Sequence, residues 1–299
     1  MKIILTGSLG HISRPLAASL IKQRQEVTII SSNPGKQKEI EATGAKAAIG
    51  KMEDVDFLTD TFQGADALYA MAAMPVFTLS REQLLESTRQ IAYPYVTAIQ
   101  NAGIKKVIFL STVGADKPSG NGILEYGYQM EQIYQKLRSD VSFKIMRPVG
   151  FYYNLLGFIP LIKSRAVIAS NYGGQTKKPW VSPLDIAARV AAAILSPLEG
   201  RSVEYIASDE LSCEQIAGML GKAINQPDLK WRTISDDEML QTLIQNGMHA
   251  TTAQGFVEMQ SSMREGRIYE DYYQHRPVLG SVKFQDYLPE FTRIYQNRS

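Results

Sequence analysis

The rhythm of the first 150 residues most limits what this chain can fold into. Short apolar, β-branched runs at 2–6, 26–31, 46–49, 67–72, 106–111 and 143–147 alternate with helix-period segments at 14–25, 36–43, 57–62, 81–101 and 124–137. Runs without a polar face read as strands covered on both sides, and the helices between them supply the cover. The pattern therefore predicts an α/β fold with a doubly wound parallel sheet. Punctuation supports the boundaries. Ser80-Arg81-Glu82-Gln83 is a capping box, and Gly44, Gly64 and Gly103 stand where helices should stop. After Pro148 the rhythm breaks. An aromatic, apolar stretch at 151–163 leads to a turn at Asn171-Tyr172-Gly173-Gly174, and Ser182-Pro183 opens a helix through Leu195. One more strand at 203–207 and helix caps at Ser212 and Ser235 follow. Residues 1–150 read as one domain with returns near 180–207. Residues 151–179 and 208–299 read as a smaller, mainly helical lobe.

Charge and composition remove several function classes. Lys plus Arg number 32 against 30 for Asp plus Glu, a formal net charge of +2, so the basic excess of a nucleic-acid binder is missing. Cys213 stands alone, and His11, His249 and His275 have no metal-ligand spacing, so no disulfide and no metal site are expected. The opening residues lack the apolar core of a signal peptide. The most apolar stretch, 65–79, contains Asp66 and Pro75 and is too short for a membrane span. The expectation is a soluble cytoplasmic protein.

The sharpest local signal follows the first strand: Ile4-Leu5-Thr6-Gly7-Ser8-Leu9-Gly10-His11-Ile12-Ser13-Arg14. Strand, Gly-x-x-Gly, then amphipathic helix presents backbone N–H groups and a helix N-terminus to a pyrophosphate. Gly7 permits the tight turn, and Gly10 lets the backbone approach phosphate with no side chain between. Residues 7–12 are therefore candidate dinucleotide contacts, with His11 contributing its backbone. At the end of the second strand, sites for NAD commonly hold an acid for the ribose hydroxyls. Here Ser31-Ser32-Asn33-Pro34-Gly35-Lys36 stands instead, so a 2′-phosphate meets no repulsion, and Ser31, Ser32, Lys36 or Arg14 can hold it. NADP(H) is expected over NAD(H). Met71 and Ala72 after the fourth strand, Ser111 after the fifth and Pro148 after the sixth complete the cofactor candidates.

Together these residues resemble the NmrA-like branch of the atypical short-chain dehydrogenases/reductases. The resemblance covers nearly the whole chain. It rests on the turn at Thr6–Ile12, Gly64-Ala65-Asp66-Ala67-Leu68, Val107-Ile108-Phe109-Leu110-Ser111, and Met146-Arg147-Pro148-Val149-Gly150-Phe151 with Asn154. Trp180-Val181-Ser182-Pro183-Leu184-Asp185-Ile186-Ala187 and Leu211-Ser212-Cys213-Glu214-Gln215-Ile216-Ala217 complete it. It implies a Rossmann-type fold binding NAD(P) across the strand ends, with the second lobe as a substrate cover. Members include quinone reductases, isoflavone-type reductases and non-catalytic redox sensors. Two departures stand out. Gly50-Lys51-Met52 places lysine where the family often has an acid near the adenine. None of the fifteen tyrosines has lysine four residues later, so the Tyr-x-x-x-Lys pair that tunes a proton donor is missing. The family alternative, Lys or His four residues before a glutamate, finds its glutamate in Glu131 but has Gly127 at the other position.

Tyr126 and Tyr128 remain as candidate proton donors. Ser111 is a candidate partner for a substrate carbonyl or the nicotinamide ribose. Phe151, Tyr152, Tyr153 and Asn154 follow the last core strand, where the resemblance places the substrate pocket. The expected function is reduction of a quinone-like or small carbonyl compound by NAD(P)H. The alternative is a regulator that binds the dinucleotide, meets a protein partner and catalyses nothing. The sequence does not specify an oligomeric state.

Overall fold

The structure is a computed structural model that describes residues 1–298 other than Ala73, Pro75 and Phe77; Pro75 and Ser299 thus lie outside the described residues. The first half runs β1 (Lys2–Leu5), α1 (Ser13–Lys22), β2 (Glu26–Ser31), α2 (Gln37–Glu41), β3 (Lys46–Ile49) and α3 (Val55–Phe62). It continues through β4 (Ala67–Ala70), α4 (Arg81–Asn101), β5 (Lys106–Leu110), α5 (Glu125–Tyr134) and β6 (Ser142–Pro148). Then come β7 (Gly150–Phe151), α6 (Ile159–Arg165), β8 (Val167–Ser170), β9 (Lys178–Val181), α7 (Pro183–Leu195) and β10 (Arg201–Ile206). The chain ends with β11 (Asp209–Leu211), α8 (Cys213–Ala223), β12 (Lys230–Thr233), α9 (Asp236–Gln245), α10 (Ala250–Glu265), α11 (Glu270–Gln274) and α12 (Phe284–Asn297).

Seven parallel strands form the main sheet in the order β10-β6-β5-β4-β1-β2-β3. The central strands carry the continuous apolar runs because both their faces are covered: every residue of β4 is buried. One face packs Leu16, Leu20, Ile186 and Val190 of α1 and α7, and the other packs Phe62, Tyr95, Ile99 and Tyr134 of α3, α4 and α5. Strand order reverses between β1 and β4, and such a switch point opens a crevice at the carboxyl ends of the strands. The strand read at 203–207 joins this sheet as β10, beside β6.

A third apolar cluster, including Tyr152, Ile162, Trp180, Leu220, Trp231 and Phe291, lies among the later elements. These are mostly helix, with a three-stranded sheet β11-β9-β7 and a pair β12-β8 that periodicity did not reveal. Arg81 at the start of α4 pairs with Glu125 of α5 at 2.7 Å and Glu258 of α10 at 3.6 Å, tying the later helices over the strand ends. Among the described residues, no helix is long and apolar enough to cross a membrane.

Candidate functional site

The tip of β1 is built for close backbone approach. The buried Thr6 hydroxyl donates to the Met71 carbonyl and accepts from the Met71 amide, both at 2.7 Å, locking the ends of β1 and β4 together. Gly7 has φ +84°, and a Cβ there would come within 2.2 Å of the Met71 Cε, which lies over the turn. Helix α1 starts after Ile12 with no capping side chain and no acid in its first turn. Helices α3, α4, α7, α8 and α9 are instead capped by Asp54, Ser80, Ser182, Ser212 and Ser235. Among the described residues, the amides of Gly10, His11 and Ile12 make no hydrogen bond. Gly10 is exposed, and a Cβ on it would meet only the Gly7 carbonyl, at 3.9 Å. Free N–H groups at an uncapped helix start, with open space before them, fit a pyrophosphate. Ile12 is in the core and Leu9 is half-buried, so the Ile12 side chain faces away from any ligand.

Beside this turn lies a cleft of about 540 Å³, lined by Gly10, His11, Arg14 and Tyr153 together with the starts of α7 and α12. The His11 ring stacks on Tyr153 with centroids 4.6 Å apart, so its imidazole has a role that the backbone reading left out.

At the end of β2, the Ser8 hydroxyl donates to Ser31 at 3.1 Å, and the Asn33 amide reaches the same Ser31 oxygen at 3.2 Å. Ser31 is buried and Ser32 exposed. The two cations that could hold a 2′-phosphate are both paired with an acid. Lys36 pairs with Glu39 at 2.7 Å, and Arg14 pairs with the other oxygen of the same carboxylate. Hydrogen bonds from Lys36 and Arg14 hold the Glu39 carboxyl below its usual pKa range. Sequence reasoning missed Glu39, although its spacing of three from Lys36 on a helix was a readable sign.

At the tip of β5, Ser111 donates to Glu131 at 2.5 Å. Arg147 of β6 grips that carboxylate with two hydrogen bonds, at 2.9 and 2.6 Å, and both side chains are buried. The guanidinium continues to Tyr205 at 3.0 Å and Asp271 at 3.1 Å. Burial opposes the Arg147 charge, but hydrogen bonds with Glu131 and Tyr205 outweigh it and keep the group firmly protonated. The Ser111 hydroxyl hydrogen is thus directed at the Glu131 carboxylate that Arg147 holds. Ser111, the candidate partner for a substrate carbonyl or the nicotinamide ribose, keeps its oxygen lone pairs for a ligand in this arrangement. Arg147 was read only as part of a motif; a charge inside an otherwise apolar strand was the available sign.

Gly127 is close-packed against the same loop. A Cβ would sit 2.8 Å from Thr112 Cγ2 and 3.3 Å from the Ala115 Cβ, so no side chain fits there without movement. Its neighbours diverge, because residues two apart on a helix point about 200° from one another. Tyr126 is half-buried near Tyr153, and burial pushes its pKa up. Tyr128 lines a separate cavity of about 690 Å³ with Asp116, Glu131, Arg147, Tyr205 and Asp271, so the two candidate proton donors stand in different surroundings. In that cavity one Asp116 oxygen is buried without a partner, and burial raises its pKa.

The remaining candidates separate by burial. Ala72 is half-buried beside Met71. Pro148 is buried, and its carbonyl already accepts from Val113 at 2.9 Å. Phe151 is half-buried and leans on Tyr153 with centroids 5.0 Å apart. Tyr152 is not in a pocket: it is fully buried, packs on Phe284 and Tyr287, and donates to the Val282 carbonyl. Asn154 is exposed. Tyr153, whose pKa burial raises to about 12, is the aromatic that faces the glycine turn.

Residues 7–197, covering the glycine turn, the strand ends and α7, match a family model described as NAD(P)H-binding. The chain belongs to this family. The NAD(P)H-binding fold extends to relatives with long coverage and low identity. An NAD(P)H azoreductase of Xenophilus azovorans is 22% identical over 86% of this chain and 85% of its own. A (4-alkanoyl-5-oxo-2,5-dihydrofuran-3-yl)methyl phosphate reductase of Streptomyces griseus is 23% identical over 88% of both. Among solved structures, an NADPH-dependent quinone oxidoreductase of Escherichia coli in complex with NADPH superposes with a TM-score of 0.80. It shares 19% identity and covers 96% of this chain and 99% of that one. This NAD(P)H-binding chain thus shares its α/β fold with the quinone oxidoreductase structure, and the turn at Gly7–Ile12 lies at the start of the matched region.

Proposed function

We propose that the chain is an NAD(P)H-dependent reductase of an electrophilic acceptor, a quinone or a compound that accepts hydride comparably well, with solvent supplying the proton. One observation carries this reading: among the described residues, the side chains at the reaction end of the site offer no poised acid. The Ser111 hydroxyl donates its hydrogen bond to Glu131, Gly127 bears no side chain, and burial raises the Tyr126 pKa above its ordinary value near 10. A general acid contributes about 10²–10⁴-fold when it is positioned and tuned. A plain ketone needs that help, because hydride addition leaves a strongly basic alkoxide. A quinone does not, because the hydroquinone anion it becomes is weakly basic and takes its proton from water.

The bound cofactor supplies the hydride, leaving as the oxidised nicotinamide. The chain's own work is binding and exclusion. Residues 7–12 hold the pyrophosphate by backbone N–H groups, and Ser8, Ser31 and Ser32 face the adenosine ribose. Met71, Ala72, Ser111 and Pro148 border the nicotinamide. Phe151, Tyr153 and the His11 ring wall the acceptor site. NADP(H) is preferred to NAD(H), since the end of β2 itself carries the Ser31 and Ser32 hydroxyls in place of an acid, with Arg14 and Lys36 nearby although both pair with Glu39. The azo and quinone acceptors in the names of the relatives agree with acceptors of this kind.

The test is oxidation of NADPH, followed by the absorbance of the reduced nicotinamide, across a panel of quinones, azo dyes, ketones and aldehydes. Turnover with quinones and little with ketones is expected. Binding of NADPH with no turnover on any acceptor would move the chain to the regulatory reading. Rapid ketone reduction lost in Tyr126→Phe would overturn the account of the missing acid.

A further inference from the structure

We propose that Glu39 governs the choice between NADPH and NADH, by acting as an internal anion seated on the two cations that a 2′-phosphate would use. The inference rests on the reading that the glycine turn holds the dinucleotide. Three observations bring it out. First, Arg14 stands in the first turn of α1 and Lys36 just beyond β2, so the two cations belong to the elements flanking the contact between Ser8 and Ser31. In a doubly wound sheet the adenosine ribose lies between these two elements. Second, Glu39 spans both cations with one carboxylate, Lys36 on one oxygen and Arg14 on the other. A carboxylate bridging two cations presents them with the charge and part of the geometry of a phosphate. Third, all three side chains are substantially exposed, at 49% for Arg14, 42% for Lys36 and 39% for Glu39. Exposed pairs are weak because water screens both partners, so the carboxylate is displaceable.

The consequence is a competition. A 2′-phosphate carries about −1.5 to −2 charges against −1 for Glu39, and it takes over the pairs when it enters. The 2′-hydroxyl of NADH leaves them in place. Glu39 thus lowers affinity for the phosphorylated cofactor without blocking it, and keeps the preference for NADPH modest.

The adenosine end is probed alone, by calorimetric titration with adenosine 2′,5′-bisphosphate and with 5′-AMP. Glu39→Gln keeps the side-chain shape and removes the charge. It is expected to tighten the bisphosphate about fivefold or more while leaving 5′-AMP within about twofold. Adding Lys36→Ala to Glu39→Gln should cancel most of the gain. An unchanged ratio of the two affinities in Glu39→Gln overturns the inference. Weaker 5′-AMP binding in that variant also overturns it, since Glu39 would then be reading the ribose hydroxyls. Failure of wild type to bind either nucleotide overturns the site itself, a result distinct from an unchanged ratio.

Discussion

Substituting Gly10 by valine separates binding from folding more cleanly than any other change at the turn. The position is exposed, its φ is not in the left-handed region, and a Cβ there meets only the Gly7 carbonyl oxygen at 3.9 Å. The fold therefore tolerates the side chain at a cost within about 1 kcal/mol, equivalent to a melting shift of roughly 2–4 °C or less. Binding is different. The amides of Gly10, His11 and Ile12 lack partners within the chain, and a pyrophosphate would take them. Isopropyl bulk at position 10 stands between the ligand and at least two of those amides. Each hydrogen bond to a charged acceptor is worth about 1.5–3 kcal/mol, so losing two weakens binding by about 3 kcal/mol or more, beyond 100-fold. Gly7→Ala provides the contrast. With φ +84° and Met71 Cε 2.2 Å from the new Cβ, it should lower stability by about 1–2 kcal/mol as well as disturb the site. The assay is NADPH titration by nucleotide fluorescence, beside a thermal melt of each variant. Undiminished NADPH binding by Gly10→Val, with a normal melt, would refute the assignment of the turn.

Arg147→Met should leave the Glu131 and Asp271 carboxylates partly buried without their cation, costing about 3–5 kcal/mol and lowering the melting temperature by roughly 5 °C or more. Adding Glu131→Leu should recover much of that loss, and a single variant that melts with wild type would show the pair to be solvated. Tyr128→Phe should leave quinone turnover unchanged because it lines the other cavity, and Tyr126→Phe should cost far less than 10²-fold. Since burial raises the Tyr126 pKa, its hydroxyl stays protonated throughout neutral pH, and the rate of quinone reduction should show no tyrosine inflection between about pH 6 and 9. A clear inflection there that vanishes in Tyr126→Phe would contradict the proposal.

Much of the fold was legible because its signals are local. Residues 67–70 lack a polar face since β4 is covered on both sides, and Ser80 with Gln83 forms the capping box that starts α4, as the spacing predicted. The glycine turn was legible for the same reason: a strand end, a positive φ and a helix start all fall within a few residues. The two small sheets were not, because their strands pair with partners outside the strand–helix rhythm of the first half, β9 with β7 and β11 and β12 with β8. Likewise, Tyr152 and Tyr153 are neighbours of one type in sequence, and only packing sends one into the core against Phe284 and the other onto His11. Tyr126 and Tyr128 part in the same way, by the turn of a helix that sends Tyr126 toward Tyr153 and Tyr128 into the cavity with Arg147.

Sequence by itself determined the layering of the sheet, the glycine turn between β1 and α1 and the lack of a Tyr-x-x-x-Lys pair, since each depends on residues within a few positions of one another. Only the tertiary structure decided which charges are free. Arg14 meets Glu39 across 25 positions, Ser111 meets Glu131 across 20, and Arg147 meets Asp271 across 124. Such pairings depend on which helix covers which strand, and at these separations no periodicity in the chain records them.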